Sequence, residues 1–333
     1  MKDIINYILR LKVWIALHLY FKKIIVEGEN NIPKNVPIIL VANHQNALID
    51  PLLLATHTKL KPYFLTRASV FKKAFVAKLL NFIRMLPVYR VRDGFSSIQQ
   101  NQKTFDQTYE VLKKNGTVII FAEGSHSLER YIRPLSKGFT RMAFGLKEKY
   151  PELTPVILPV GINFSAHRLS GSKVRILFGI PISVEMPKSE SGKLTKLVQQ
   201  ELKQLSVEIP AENYEQNLET LLQNKVDLTS PSAVRRFYET SEVSSPVKEK
   251  SSLSNRLMKI YHFPLFLFWL WLKPKVKDTV FYSTFKFLIG FTLAIFWYLI
   301  LIFLALYTPI GSWALAILIL ALISLWTNRN PQE

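Results

Sequence analysis

The stretch Val41–Pro51, VANHQNALIDP, carries a histidine and a carboxylate six positions apart. Imidazole ionises close to neutrality, so His44 could take a proton from a hydroxyl. It serves as a base only when held in one tautomer, and a carboxylate on its Nδ1–H does this while stabilising the imidazolium formed in reaction. Asp50 is the candidate for that partner. A structural reading of the same residues is also open, in which Asp50 is the N-cap of a helix, Pro51 stands at its first position and His44 bonds only loop backbone.

A sheet must position this loop. Ile38–Ala42 is an unbroken apolar run after Pro37, which predicts a strand buried on both faces, with Asn43 and His44 at its carboxyl end. That edge is where open α/β sheets bind ligands. Further strands are expected at Ile24–Glu27, Pro62–Thr66, Thr117–Ala122, Val156–Phe164 and Val174–Phe178. Helical patterns cover Val70–Ile83, Ser96–Lys114, Lys193–Val207 and Asn213–Val226, and Asn115-Gly116 stops the second of them. The alternation predicts an α/β domain, residues 24–226, with a mostly parallel sheet flanked by helices.

The chain of 333 residues has no cysteine, which excludes disulfides, a thiolate nucleophile and thiolate metal sites. Its net charge of +19 suits an anionic partner. Nine Lys or Arg and no acidic residue lie between Leu52 and Arg92, so a positive field flanks the His–Asp stretch, unless that run is simply a solvated face.

Both ends of the chain suit a membrane. Residues 1–23 are apolar apart from a few charges, two of them (Arg10 and Lys12) inside the apolar run, and lack a small-residue cleavage site. They read as a helix in the headgroup region or, equally, as a core helix. Residues 227–254 turn to Ser, Thr, Pro, Glu and Lys and read as a linker. Residues 255–330 read as an anchor: an aromatic, interfacial Phe263–Leu272 and a transmembrane helical hairpin with spans at about 287–307 and 310–327. Lys273, Lys275, Lys277 and Lys286 before the first span, and Arg329 after the second, place both ends and the α/β domain on the cytoplasmic side.

Three loops at strand ends offer chemistry. Asn43–Asp50 supplies base and acid. Leu86–Arg92, LPVYRVR, offers Arg90 and Arg92 for a phosphate. Phe121–Gly138, FAEGSHSLERYIRPLSKG, brings Glu123, Gly124, Ser125, His126, Arg130 and Arg133. A base with its orienting acid, two sets of cations and a membrane anchor fit acyl transfer to the hydroxyl of a phosphorylated, lipid-soluble substrate. In that reaction the substrate brings the nucleophile.

Asn43-His44 with Asp50, Leu86–Arg90, Phe121–Ser125 and Leu158–Val160 resemble, in order, the four blocks of the glycerophospholipid acyltransferases. The spacing departs from the commonest pattern: five residues separate His44 from Asp50, Arg84 stands where a glycine is common, and His126 stands where an arginine is common. NHQNALIDP, EGSHSLER and PVGINF are similar to the fungal glycerol-3-phosphate/dihydroxyacetone-phosphate acyltransferases. The resemblance implies His44 as general base and Asp50 as its orienting acid. It implies Arg90, with Arg130 or Arg133, on the acceptor phosphate; His126 reads either as an imidazolium that joins them or, equally, as a hydrogen-bonded loop histidine. Glu123 and Gly124 would hold glycerol hydroxyls, with Asn43 and Ser125 beside them, and Pro159 would shape the acyl side. The implied partners are membrane lipids, an acyl-CoA or acyl-carrier protein as donor and a glycerol-phosphate acceptor. No cofactor and no metal is implied.

Two rival classes remain at this level. A metal-dependent phosphohydrolase would use His44, Asp50, Glu123 and His126 as ligands, although clustered carboxylates are absent. A lipid-tethering module would use only the basic field. Nucleic-acid binding is not expected, since no such motif occurs and the aromatic residues concentrate in the apolar segments.

Overall fold

Successive side chains of a strand point to opposite faces, so a strand that is apolar throughout must be covered on both. Ile38–Ala42 meets that condition, with all five residues buried. In a computed structural model, which describes residues 2–89, 96–243 and 252–327, Ile38, Leu40 and Ala42 enter one hydrophobic core and Ile39 and Val41 another.

The elements follow in the order α1 (Lys2–Tyr20), β1 (Lys23–Glu27), β2 (Ile38–Ala42), α2 (Ile49–Thr56), β3 (Tyr63–Arg67), α3 (Ala74–Phe82), β4 (Met85–Val88), α4 (Ser96–Leu112), β5 (Thr117–Ile120), α5 (Gly138–Lys149), β6 (Val156–Phe164), β7 (Lys173–Phe178) and β8 (Ile182–Ser183). Then come α6 (Ser191–Leu205), α7 (Tyr214–Gln223), α8 (Pro231–Thr240), α9 (Ser252–Tyr261), α10 (Phe263–Leu272), α11 (Tyr282–Tyr307) and α12 (Gly311–Thr327). The sheet runs β1-β7-β6-β2-β5-β3-β4, with β8 also on β6. Pairing is parallel except where β6 meets β7 and β8. The expected α/β class and mostly parallel sheet are present.

Register gathers the functional loops. Ile38 of β2 stands opposite Thr117 of β5 and Val156 of β6, so the carboxyl ends of the three strands share one edge. One face of the sheet is covered by α1 and α2, joined by Phe287 of α11, and the other by α4, α5 and α6. Pro159 fits inside central β6 because its missing N–H falls between the segments that pair with β8 and β7.

The sequence expectations need four corrections. Leu86–Val88, read within a loop, belongs to β4, where Pro87 sits on an edge strand paired only with β3. Val70–Ile83 is a short 3-10 turn followed by α3 and not one helix. The 227–254 segment is not linker throughout, because α8 buries Val234 and Phe237 against α7 and against Val207 and Ile209 of the irregular segment after α6. Helix α5 was not foreseen.

Helix α1 has two characters at once: Val13, Leu17 and Tyr20 are buried, while Ile4, Tyr7, Ile8, Leu11 and Ile15 are exposed. In α11 and α12 the exposed surface is apolar, from Phe296 and Leu306 to Trp313 and Trp326. Among the described residues, one helical stretch, Thr279–Tyr307, is long and apolar enough to cross a membrane. The second expected span, α12, has 17 residues, short of the roughly 20 that a bilayer core asks for.

Candidate active site

The His44 loop is closed by one carboxylate oxygen. Asp50 Oδ2 accepts the N–H groups of Gln45 and Asn46 at 2.8 and 2.7 Å, and the His44 Nδ1–H at 2.8 Å. Asp50 is therefore not an N-cap: α2 starts at Ile49, and the carboxylate, fully buried in its first turn, reaches back over the loop. The fifth residue between histidine and acid is absorbed by Ala47, whose φ of 25° lies in the left-handed region. Phe121 stacks on the imidazole with ring centroids 4.1 Å apart. With Nδ1–H given to Asp50, Nε2 carries the lone pair, and among the described residues nothing in the protein bonds it.

Asn43, expected at the substrate, is instead buried and bonded at both ends of its amide to Ile162, donating to the carbonyl at 3.0 Å and accepting the N–H at 2.7 Å. It carries the β2–β6 ladder one step further and fixes where the His44 loop begins. Gln45 and Asn46 are tied to the loop after β6. The Gln45 amide oxygen accepts from His167 Nε2 at 3.1 Å, and Asn46 donates to the His167 carbonyl at 2.9 Å.

The second loop leans on the first. Glu123 Oε1 accepts the His44 backbone N–H at 3.0 Å and Oε2 accepts Arg133 Nε at 2.7 Å. Both oxygens are spent inside the protein, so Glu123 supports His44 rather than facing glycerol hydroxyls. Burial pushes its carboxyl above the usual range, against the pull of the Arg133 guanidinium. Arg133 also donates to the Ser125 hydroxyl at 2.8 Å and to the Ser125 carbonyl, which clamps the turn at Gly124. That turn needs φ of +75° at Gly124.

Of the three phosphate candidates, Arg90 lies outside the described residues. Arg130 is 3% exposed and donates to the carbonyls of Phe164 and Ser165, so its guanidinium holds the end of β6 and not a phosphate. Arg133 keeps a side chain about one-fifth exposed, paired with the Glu123 that holds the His44 N–H. His126 stands edge-on to His44 with ring centroids 5.7 Å apart, and burial lowers its pKa while Asp278 opposes the shift. Pro159 is buried in β6 opposite Val41, three residues before His44. Among the described residues no group of three or more His, Asp or Glu is arranged around a metal site.

Sequence reading missed the contribution of the C-terminal helices. Leu48 N–H donates to Thr284 Oγ1 at 3.3 Å, Ser283 donates to the His167 carbonyl, and Asp278 Oδ2 lies 3.3 Å from His126 Nε2. No local signal marks contacts over such separations, although a polar Ser283-Thr284 pair at the mouth of an apolar helix is the kind of residue that must find a partner.

Comparison with known proteins places this geometry. Residues 23–163 match the model of the family described as Acyltransferase. A stretch of 104 residues is 33% identical to glycerol-3-phosphate O-acyltransferase 2 of Saccharomyces cerevisiae, covering 27% of this chain and 14% of the yeast protein. Another of 177 residues is 27% identical to the chloroplastic 1-acyl-sn-glycerol-3-phosphate acyltransferase LPAT1 of Arabidopsis thaliana, covering 51% of this chain and 47% of that one. The matched stretches thus span about half or less of these curated relatives. Among solved structures, the 1-acyl-sn-glycerophosphate (LPA) acyltransferase PlsC of Thermotoga maritima is similar at a TM-score of 0.44 and 21% identity, over 65% of this chain and 83% of that one. Residues 23–163, which contain the His44–Asp50 pair, thus form a domain that matches the Acyltransferase family and is similar in part to acyltransferases of glycerol 3-phosphate and 1-acyl-sn-glycerol 3-phosphate.

Proposed function

We propose that this protein is a membrane-bound O-acyltransferase that moves a fatty acyl group from an acyl thioester, acyl-CoA or acyl-carrier protein, to a hydroxyl of glycerol 3-phosphate or 1-acylglycerol 3-phosphate. One observation carries the reading: the 2.8 Å bond from His44 Nδ1 to a fully buried Asp50, which leaves Nε2 as a base at the carboxyl edge of the sheet.

The acceptor hydroxyl gives its proton to His44 Nε2 as its oxygen attacks the thioester carbonyl carbon. Asp50 holds the imidazole and balances the imidazolium. The tetrahedral intermediate then collapses, the carbon–sulfur bond breaks, and the departing thiolate takes the proton from Nε2. Electrons and protons balance with no metal or redox group. Arg133 and Arg90, the latter outside the described residues, are the cations for the acceptor phosphate, and His126, edge-on to His44, is a further contact for it. The apolar exposed faces of α1, α11 and α12 lie in the bilayer, and Lys273, Lys275, Lys277 and Lys286 keep the domain on the cytoplasmic side.

The test is acyl transfer by the purified, detergent-solubilised protein from labelled acyl-CoA and from acyl-carrier protein to glycerol 3-phosphate and to 1-acylglycerol 3-phosphate. His44→Ala is expected to lower kcat roughly 10²–10⁴-fold, as loss of a positioned base does. The preferred acceptor names the step. Transfer that survives in the variant, or no transfer by the wild type to either acceptor, overturns the reading and turns attention to lipid tethering.

A further inference from the structure

The start of the bilayer-crossing stretch is polar where its remainder is not. Asp278, Ser283, Thr284 and Lys286 are among the polar residues of its first turns, and Phe287 opens the apolar run. A helix that served only as a tether would leave these groups to water. Instead each is bonded to the α/β domain at the edge that carries His44. Ser283 is 1% exposed, accepts from the Tyr20 hydroxyl at 3.0 Å and donates to the His167 carbonyl. Thr284 accepts the Leu48 N–H, and Lys286 donates to the Arg168 carbonyl at 2.6 Å. The His167 carbonyl also receives Asn46, whose own N–H is held by Asp50.

Asp278 occupies a different position, at the surface and beside the second histidine of the site. Its Oδ1 accepts the Val280 N–H at 3.0 Å, which fixes the carboxylate, and its Oδ2 reaches His126 Nε2 at 3.3 Å. Phe281 meets the same imidazole edge-on, with ring centroids 5.0 Å apart, so the ring is held from two sides by one turn of chain. Once Nε2 is taken, Nδ1 is the nitrogen that His126 has left for a substrate.

We propose that Asp278–Thr284 forms a wall of the catalytic site, and that Asp278 is a positioning residue that orients His126 toward the phosphorylated acceptor. This rests on the acyltransferase reading and adds a residue from outside residues 23–163. It implies that the membrane segment contributes to catalysis as well as to location.

The test uses the full chain in proteoliposomes. Asp278→Asn keeps an oxygen for the Val280 N–H, and so the turn, while removing the charge opposite His126. It is expected to lower kcat/KM for the acceptor about tenfold, the worth of one charge-assisted hydrogen bond. The KM for the acyl donor and the membrane-bound fraction should not move. In a His126→Ala background the same substitution should cost less than twofold, since the two residues act as one unit. A wild-type acceptor kcat/KM in Asp278→Asn, or an undiminished tenfold loss without His126, overturns the proposal while leaving the acyltransferase reading intact. A wild type that transfers nothing, with His44→Ala run alongside, overturns the reading itself.

Discussion

The loop carrying His44 and the loop carrying Glu123 meet at one sheet edge, yet they are held by opposite kinds of contact. In the first, a single carboxylate oxygen gathers an imidazole and two backbone N–H groups, all within six residues. In the second, Arg133 clamps Ser125 and Glu123 from eight and ten positions away, and the remaining ties are distant: Glu123 to His44 across 79 residues, and His126 to Asp278 across 152. The first loop is closed by its own carboxylate and then tied outward, to His167 through Gln45 and Asn46 and to Thr284 through Leu48. The second takes its geometry from Arg133, from the first loop and from the turn that leads into α11.

Breaking the local loop should have the largest effect. Asp50→Asn keeps the volume but exchanges the acceptor of three hydrogen bonds for an amide and releases the tautomer of His44. A fall in kcat on the order of 10³-fold is expected in steady-state acyl transfer. A loss below tenfold would mean that Asp50 holds the backbone only.

Breaking the Glu123 loop should show first in stability. Arg133→Gln leaves Glu123 buried without its cation, a change worth about 2–4 kcal/mol once the partial exposure of Arg133 is allowed for. The midpoint of thermal inactivation in detergent should fall by roughly 5–10 °C. An unchanged midpoint would show that the Glu123 loop is as self-sufficient as its neighbour.

The smallest effect expected is one of pH. Glu208 accepts the Ile132 N–H at 2.7 Å under the same loop, and burial raises its pKa from 4.5 to about 7. The folded state thus binds this proton more tightly than the unfolded chain does. Its contribution is fully present below pH 4.5 and is lost as pH climbs to about 7. Glu208→Gln keeps the acceptor and removes the titration, so it should be more stable than wild type at pH 8, by about 2 kcal/mol, and match it near pH 4.5. Equal pH profiles for the two proteins would place Glu208 in contact with water.

These differences follow what a sequence can and cannot carry. The strands that frame the site, Ile38–Ala42 and Val156–Phe164, are apolar runs, and burial on both faces is written in them residue by residue. His44 and Asp50 are close in sequence, so their pairing was open to inspection. The N-cap reading of Asp50 failed because the same residue type serves a cap and an inward anchor, and only the φ of Ala47 decides between them. Arg130 and Arg133 stand three apart in one loop, and charge does not reveal that one is buried under β6 while the other clamps Ser125. Asn43 read as part of a site motif, but its amide is satisfied by Ile162, over a hundred positions away. Met85–Val88 was lost to its proline, which is permitted there only because β4 is an edge.

The bond from Leu48 to Thr284 spans 236 residues. At a synthesis rate of about 5–20 residues per second, the loop that holds His44 waits roughly 10–50 s for that partner to leave the ribosome. Until then the domain has its sheet and its histidine but lacks the contacts that Asp278 and Ser283 make with His126 and His167. On the proposal that these residues wall the site, the order of translation acts as a timer: a nascent chain whose apolar helix has not emerged carries an unfinished site.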